Sequence, residues 1–348
     1  MNDEPAQRKL KGKGKAKGGK AKGGKAKGGG EDVCSDDEVE FDSGCMSFDD
    51  AYASAYDFLY MNLPSYDVTN AASLGFHSSS IPDIDGLQDG IATVALNVSL
   101  EALQSYEWAK GVEQEIFNEY VASYANVNEG RNNIRPLLSS AMSAIIDAAD
   151  EPPTDVSSVV SLINSNMWNS QTNNLSQTVV FKSGQTPLIY DPMSTLVYGF
   201  ASCTGVSILF VDALRSVGVP ARVAGTPAWN DVYENGNHNW VEVYDGGEWN
   251  FIEAAPAGGG ESLSNPCDKW FCSPAKMANT KFYAARWDQS KGTVYPMAWD
   301  LDNFQVPGDD RTEYYQSACG QCGSQLGYEL DEWTQLAAQA NTGSSRVC

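Results

Sequence analysis

The chain has 348 residues, 42% hydrophobic and 11% aromatic, enough for one large core or two modest ones. Its net charge of −22 is unevenly spread: residues 1–30 hold ten of the 23 basic and two of the 45 acidic residues, leaving the remainder at a net −30. So acidic a body excludes nucleic acid as its partner and repels anionic membranes, and no apolar run reaches the roughly 18–20 residues of a membrane span.

Residues 11–30 form a Lys/Gly tract in which Lys-Ala-Lys-Gly-Gly occurs three times from Lys15 to Gly29. It offers nothing large enough to pack and reads as a disordered, solvated tail, continued by an acidic linker from Glu31 to Asp42. The start, Met1-Asn2-Asp3-Glu4-Pro5, lacks the apolar stretch of a signal peptide, which favours the cytoplasm. From Phe48 to Asp150 the pattern is mostly helical. Apolar residues at three-to-four spacing predict one helix from Leu100 to Val121, and a second runs from Pro136 to Ala149. Thr154 or Asp155 caps a third, carrying Val159, Val160, Leu162, Ile163 and Met167. Val179-Val180-Phe181 is a short strand.

Cys203 precedes a helical stripe of Val206, Leu209, Phe210, Ala213, Leu214 and Val217, closed by Gly218. A strand begins at Pro220-Ala221-Arg222-Val223-Ala224. Two more, His238 to Tyr244 and Glu248 to Ala254, flank Asp245-Gly246-Gly247, a strong hairpin signal. Residues 257–300, rich in Gly, Pro and aromatics, wrap this core, and 325–348 read as a short helix plus a loose end.

Three positions carry chemistry. A cysteine in the first turn of a helix faces unsatisfied N–H groups and the positive end of the dipole, which favour thiolate; taken alone, Cys203 reads first as a packing cysteine. With a two-residue Gly246-Gly247 turn, Asp245 pairs with Glu248, Tyr244 with Trp249 and Trp240 with Glu253, so His238 and Glu253 share a face as diagonal neighbours. A loop one residue longer puts them on opposite faces. His77, the other histidine, has no such context and reads as structural.

Gly199-Phe200-Ala201-Ser202-Cys203, then Leu214-Arg215-Ser216-Val217-Gly218-Val219-Pro220-Ala221-Arg222-Val223, then His238-Asn239-Trp240-Val241-Glu242-Val243 with Trp249, resemble the transglutaminase-like superfamily in order and spacing over about 195–256. The segment from Trp108 to Asn132 is also similar to a helical region that precedes this domain in bacterial members. The resemblance implies an α+β, papain-like core, with a helix bearing Cys203 packed on an antiparallel sheet bearing His238, after a helical N-terminal region. The division this predicts is a tail and linker over 1–46, a helical region over 47–153, a catalytic core over 154–300 and an extension over 301–348.

The resemblance makes Cys203 the nucleophile, His238 the base and acid, and Glu253 the orienting acid, although the superfamily more often has Asp there. It places Trp240 and Trp229 as walls of an acyl site, core packing being the other job for Trp240, and Arg222 in a structural ion pair or a substrate contact. The implied function is thioacyl chemistry on the amides of a peptide or protein substrate, passing the acyl group to water or to an amine. A peptide N-glycanase-like deglycosylase and a catalytically degenerate protein-binding domain are the alternatives. No cofactor or resident metal is assigned, calcium is not implied, and oligomeric state is open. Cys267 and Cys272, with the CxxC of Cys319 and Cys322, read as structural thiols or two local disulfides, a four-thiolate zinc site being the other reading.

Overall fold

The computed structural model describes residues 34–77, 90–259, 262–290 and 292–320. The expected disorder of the Lys/Gly tract and the expected helix at 325–348 lie outside them. The acidic stretch is not all linker: β1 (Glu38–Phe41) pairs antiparallel with β2 (Gly44–Ser47), because Val39 and Phe41 alternate into the core and a Cys34–Cys45 disulfide closes the hairpin. Then follow α1 (Phe48–Met61), the single turn α2 (Ala71–Leu74), α3 (Ile91–Ser105) and α4 (Gln114–Tyr120).

The single helix expected over 100–121 is two. Its periodicity is interrupted at 106–113, where Gly111 takes φ +73°, Val112 bridges to Phe41, and the Trp108 indole donates to the Val217 carbonyl at 2.9 Å. Tertiary anchoring there outweighs helix propensity. Local signals do set α5 (Arg135–Asp147), with Pro136 in its first turn, and α6 (Val156–Asn166), where Asp155 accepts from the Ser158 amide at 2.8 Å in a capping box. Next come β3 (Val180–Phe181), α7 (Pro192–Tyr198) and β4 (Phe200–Ala201), the two strands pairing in parallel.

At the centre lies α8 (Cys203–Arg215), whose every residue is buried: α5, α6 and α7 pack around it, and β5 (Ala221–Thr226) and β6 (His238–Asp245) cover another face. β7 (Glu248–Ile252) follows β6 through Gly246 and Gly247, at φ +62° and +86°, the two left-handed positions of a tight hairpin turn. The pairs Asp245 with Glu248, Tyr244 with Trp249 and Val241 with Ile252 give the register predicted for a two-residue turn.

Beyond α9 (Pro274–Met277), the chain adds strands that its composition does not announce. β8 (Tyr283–Ala285) and β9 (Gly308–Asp310) complete an antiparallel sheet of order β7-β6-β5-β8-β9, followed by α10 (Thr312–Cys319). Alternation divides the sheet's residues: Val223, Val241, Val243 and Ile252 face the α8 core, while Ala224, Trp240, Phe251 and Ala284 join a second cluster with Phe271, Phe282 and Tyr315. The α8 core draws on residues from Val127 to Val306. Among the described residues no helix is long and apolar enough to cross a membrane.

Candidate active site

Cys203 is the first residue of α8 and fully buried. Ser202 precedes it in extended backbone but does not cap the helix; its hydroxyl is 2.6 Å from that of Thr186. No capping side chain therefore claims the first-turn N–H groups around the sulfur, and those groups and the dipole end favour an anion there. The sulfur itself is disulfide-bonded in this structure, so the thiolate form requires reduction.

His238 opens β6, and its Nε2 is in a short hydrogen bond with Glu253 Oε1, one residue beyond the end of β7. Both groups are buried. Glu253 is held through its backbone as well: the Asn164 amide donates to its carbonyl at 3.0 Å, and Asn164 Oδ1 accepts from the Ala255 N–H at 2.9 Å. The second carboxylate oxygen, Oε2, is buried without a hydrogen-bond partner. The hairpin register thus brings the expected base and acid together, and the extra methylene of Glu spans the diagonal.

Asn239 was not expected here, yet it is the side chain that meets Cys203. Lying on the opposite face of β6 from His238, it points at the start of α8, with Nδ2 3.0 Å from Thr204 Oγ1 and 3.9 Å from the Cys203 sulfur. Tyr295 donates to its Oδ1 at 2.6 Å, which turns the amide's donor end toward the sulfur. Gly225, paired with Asn239 across the sheet, leaves the room: a Cβ there would lie 2.6 Å from Asn239 Oδ1 and 2.4 Å from the His238 carbonyl.

The tryptophans separate. Trp240, for which core packing was the first of its two readings, is fully buried, stacks on Phe271 with ring centroids 5.3 Å apart, and gives its indole N–H to Tyr315 at 2.7 Å. Trp229 lies beside the imidazole at 6.4 Å but is itself buried. The exposed aromatic at the site is Trp270, edge-on to His238 at 5.5 Å with 57% of its surface in solvent, a residue the sequence reading passed over. Arg222 resolves as a structural ion, buried between Glu242 at 2.8 Å and Asp309 at 2.7 Å.

A cleft of about 440 Å³ adjoins these groups, lined by Ser202 and Thr204 on either side of Cys203, by Asn237 ahead of His238, and by Thr186, Asp300 and Asp302. Among the described residues, Cys267, Cys272 and Cys319 are the group of side chains that could hold a metal ion, and they lie away from this cleft's lining.

Residues 143–254 match the family model of the transglutaminase-like superfamily. That stretch runs from within α5 to Ala254, inside an α+β fold that also has a helical N-terminal region. A solved structure named “Putative Cysteine Protease from Cytophaga hutchinsonii” is 13% identical, with 56% of this chain aligned to 54% of that one and a TM-score of 0.26. The chain spans about half the length of that protein. No curated protein matches the chain.

Proposed function

We propose that the chain is a transglutaminase-like cysteine enzyme that, once Cys203 is reduced, forms a thioacyl intermediate on peptide or protein amides. The observation that supports this reading is the buried His238–Glu253 hydrogen bond at the start of β6, the next residue of which, Asn239, reaches the Cys203 sulfur. With Nε2 engaged by Glu253, Nδ1 is the ring nitrogen left to take the thiol proton, and the ring must turn from its aromatic neighbours toward Cys203 to do so. The thiolate attacks the amide carbon, and the oxyanion takes the Cys203 backbone N–H. His238 then protonates the departing amine, leaving a thioester and a neutral ring. Water or a second amine, deprotonated by His238, attacks the thioester and restores the thiolate. Asn239 acts as the donor that holds the sulfur in place. Asp300 and Asp302 on the cleft wall favour an approaching cationic amine over anionic partners.

The test is mass spectrometry of products from a mixture of Gln-containing and Lys-containing peptides, with and without a dithiol reductant. Deamidated, cleaved or cross-linked peptide is expected only after reduction and not from Cys203→Ala. Iodoacetamide should label Cys203 in the reduced chain, more slowly in His238→Ala. Equal product from wild type and Cys203→Ala sinks the enzyme reading. The oxidised Cys203 is the observation that favours the non-catalytic alternative, and silence on these peptides after complete reduction counts for that alternative.

A further inference from the structure

Six of the thirteen exposed large apolar side chains among the described residues fall between Val180 and Tyr198. Helix α7 shows why that is unusual. Thr195 and Leu196 turn inward, while Met193 and Val197, four residues apart on one face, stand in solvent with Tyr198 beside them. A surface helix ordinarily keeps polar groups on that outer face. Strand β3 exposes both Val180 and Phe181. Val180 pairs with Phe200, whose ring is 6.1 Å from that of Tyr198, so strand and helix residues adjoin as one surface. Charge is scarce in the same stretch. From Val156 to Val211 the only charged residues are Lys182 and Asp191, in a body that is otherwise strongly acidic. Both are engaged: the Lys182 ammonium lies 4.2 Å over the Phe200 ring, and Asp191 caps α7 by accepting from the Ser194 amide at 3.0 Å. An uncharged apolar surface of this kind marks a place for a partner.

Its position says which partner. Gly184, Thr186 and Pro187, in the loop leaving β3, line the cleft beside Cys203, and Leu188, 86% exposed, follows immediately. Strand β4, which carries Phe200, runs straight into Ser202 and Cys203. The cleft is completed by Trp299, edge-on to Tyr190 at 6.0 Å, and by Asp300 and Asp302; among the described residues none of its lining side chains is basic. We propose that Val180, Leu188, Met193, Val197 and Tyr198 form a docking surface for an unfolded segment of a protein substrate, apolar where it crosses this surface and basic where it enters the cleft. Folded proteins bury most of their large aliphatic side chains, whereas an unfolded segment offers them. The two carboxylates favour a cation at the cleft end. A second copy seated on the surface would stand at the edge of the cleft, while an extended chain is led into it. That the docked chain is a substrate rests on the catalytic reading of Cys203; that an unfolded chain docks does not.

Binding is read first on the unreduced full chain, whose Cys203 is disulfide-bonded, so that no turnover enters. The probe is a fluorescent synthetic Gln peptide with a Leu/Val-rich segment and a lysine, with two controls, Leu/Val changed to Ser and Lys changed to Glu. Fluorescence anisotropy is expected to show binding that weakens about ten-fold or more in the Ser control and measurably in the Glu control. Leu188→Asp/Val197→Asp should lose as much affinity as the Ser control, with the melting temperature kept because both positions lie in solvent. In the reduced chain the double variant should raise KM for the peptide. A chain that binds in this pattern but turns nothing over supports the docking surface while the catalytic reading fails. Equal binding of either control peptide, or equal binding by the double variant, overturns the proposal. A dimer in sedimentation that the double variant abolishes makes the surface an interface between copies and overturns it as well.

Discussion

Two buried glutamates on one hairpin have opposite surroundings. Glu242, on β6, is saturated: Oε2 accepts from Arg222 Nε and Nη2 at 2.9 and 2.8 Å, and Oε1 accepts from Arg311 Nε and the Tyr315 hydroxyl, each at 2.8 Å. Arg222 in turn lies 4.0 Å over the Trp249 ring and pairs with Asp309. Glu253 has one side-chain partner, His238, and leaves an oxygen bare in the interior. A buried carboxylate with every lone pair used is a structural fastener. One left incompletely paired costs stability and persists where it serves something else.

That contrast can be broken by exchanging charge for amide at each position. Glu253→Gln should lower amide-processing activity by about 10²–10⁴-fold, since the ring loses the carboxylate that sets its tautomer, while the melting temperature stays near wild type; a fall in stability alone would make Glu253 another fastener. Glu242→Gln should do the reverse, costing about 3–5 kcal/mol by stranding Arg222 and Arg311, read as a drop in denaturation midpoint. Asn239→Ala should reduce activity by about 10²-fold with a faster-reacting change in Cys203 alkylation than in folding; unchanged kinetics would remove it from the site.

The smallest effect concerns acid. Burial alone would raise the Asp309 carboxyl, but Arg222 and Arg286 outweigh it and hold the group below the usual carboxylate range. Its folded value being depressed, its contribution is complete above the unfolded value of about 3.9 and is lost as pH falls through the folded one. Asp309→Asn should flatten that part of the stability curve, by about 1 kcal/mol or less for a group one-third exposed. An unchanged acid limb would show that the saturated network does not report through Asp309.

Where local rules operate, the residues could be read directly. Pro136 in the first turn of α5, the cap of α6, the helix after Cys203 and the Gly246-Gly247 turn each depend on a few adjacent residues. The register of His238 and Glu253 follows from that turn and the strand period. Asn239 was not, since the same alternation sends it to the face opposite His238 and only the packing of α8 brings Cys203 there. Reading failed where distant chain decides: the break before α4 depends on Val217 and Phe41, and β8 and β9 are three residues each, too short to carry a pattern. The burial of Trp240 depends on Phe271, Phe282 and Tyr315, which arrive from elsewhere.

By itself, then, the sequence determined the order of Cys203, His238 and Glu253, the helix that starts at the cysteine and the hairpin that sets histidine against acid, because caps, tight turns and a two-residue period act over a few residues. Only the tertiary structure decided which buried charges are saturated, that Trp270 and not Trp240 borders the imidazole in solvent, that Cys203 is oxidised, and that three cysteines from a loop and a helix end converge. Those outcomes depend on packing between segments far apart in the chain, and nothing in the local pattern of either segment encodes its partner.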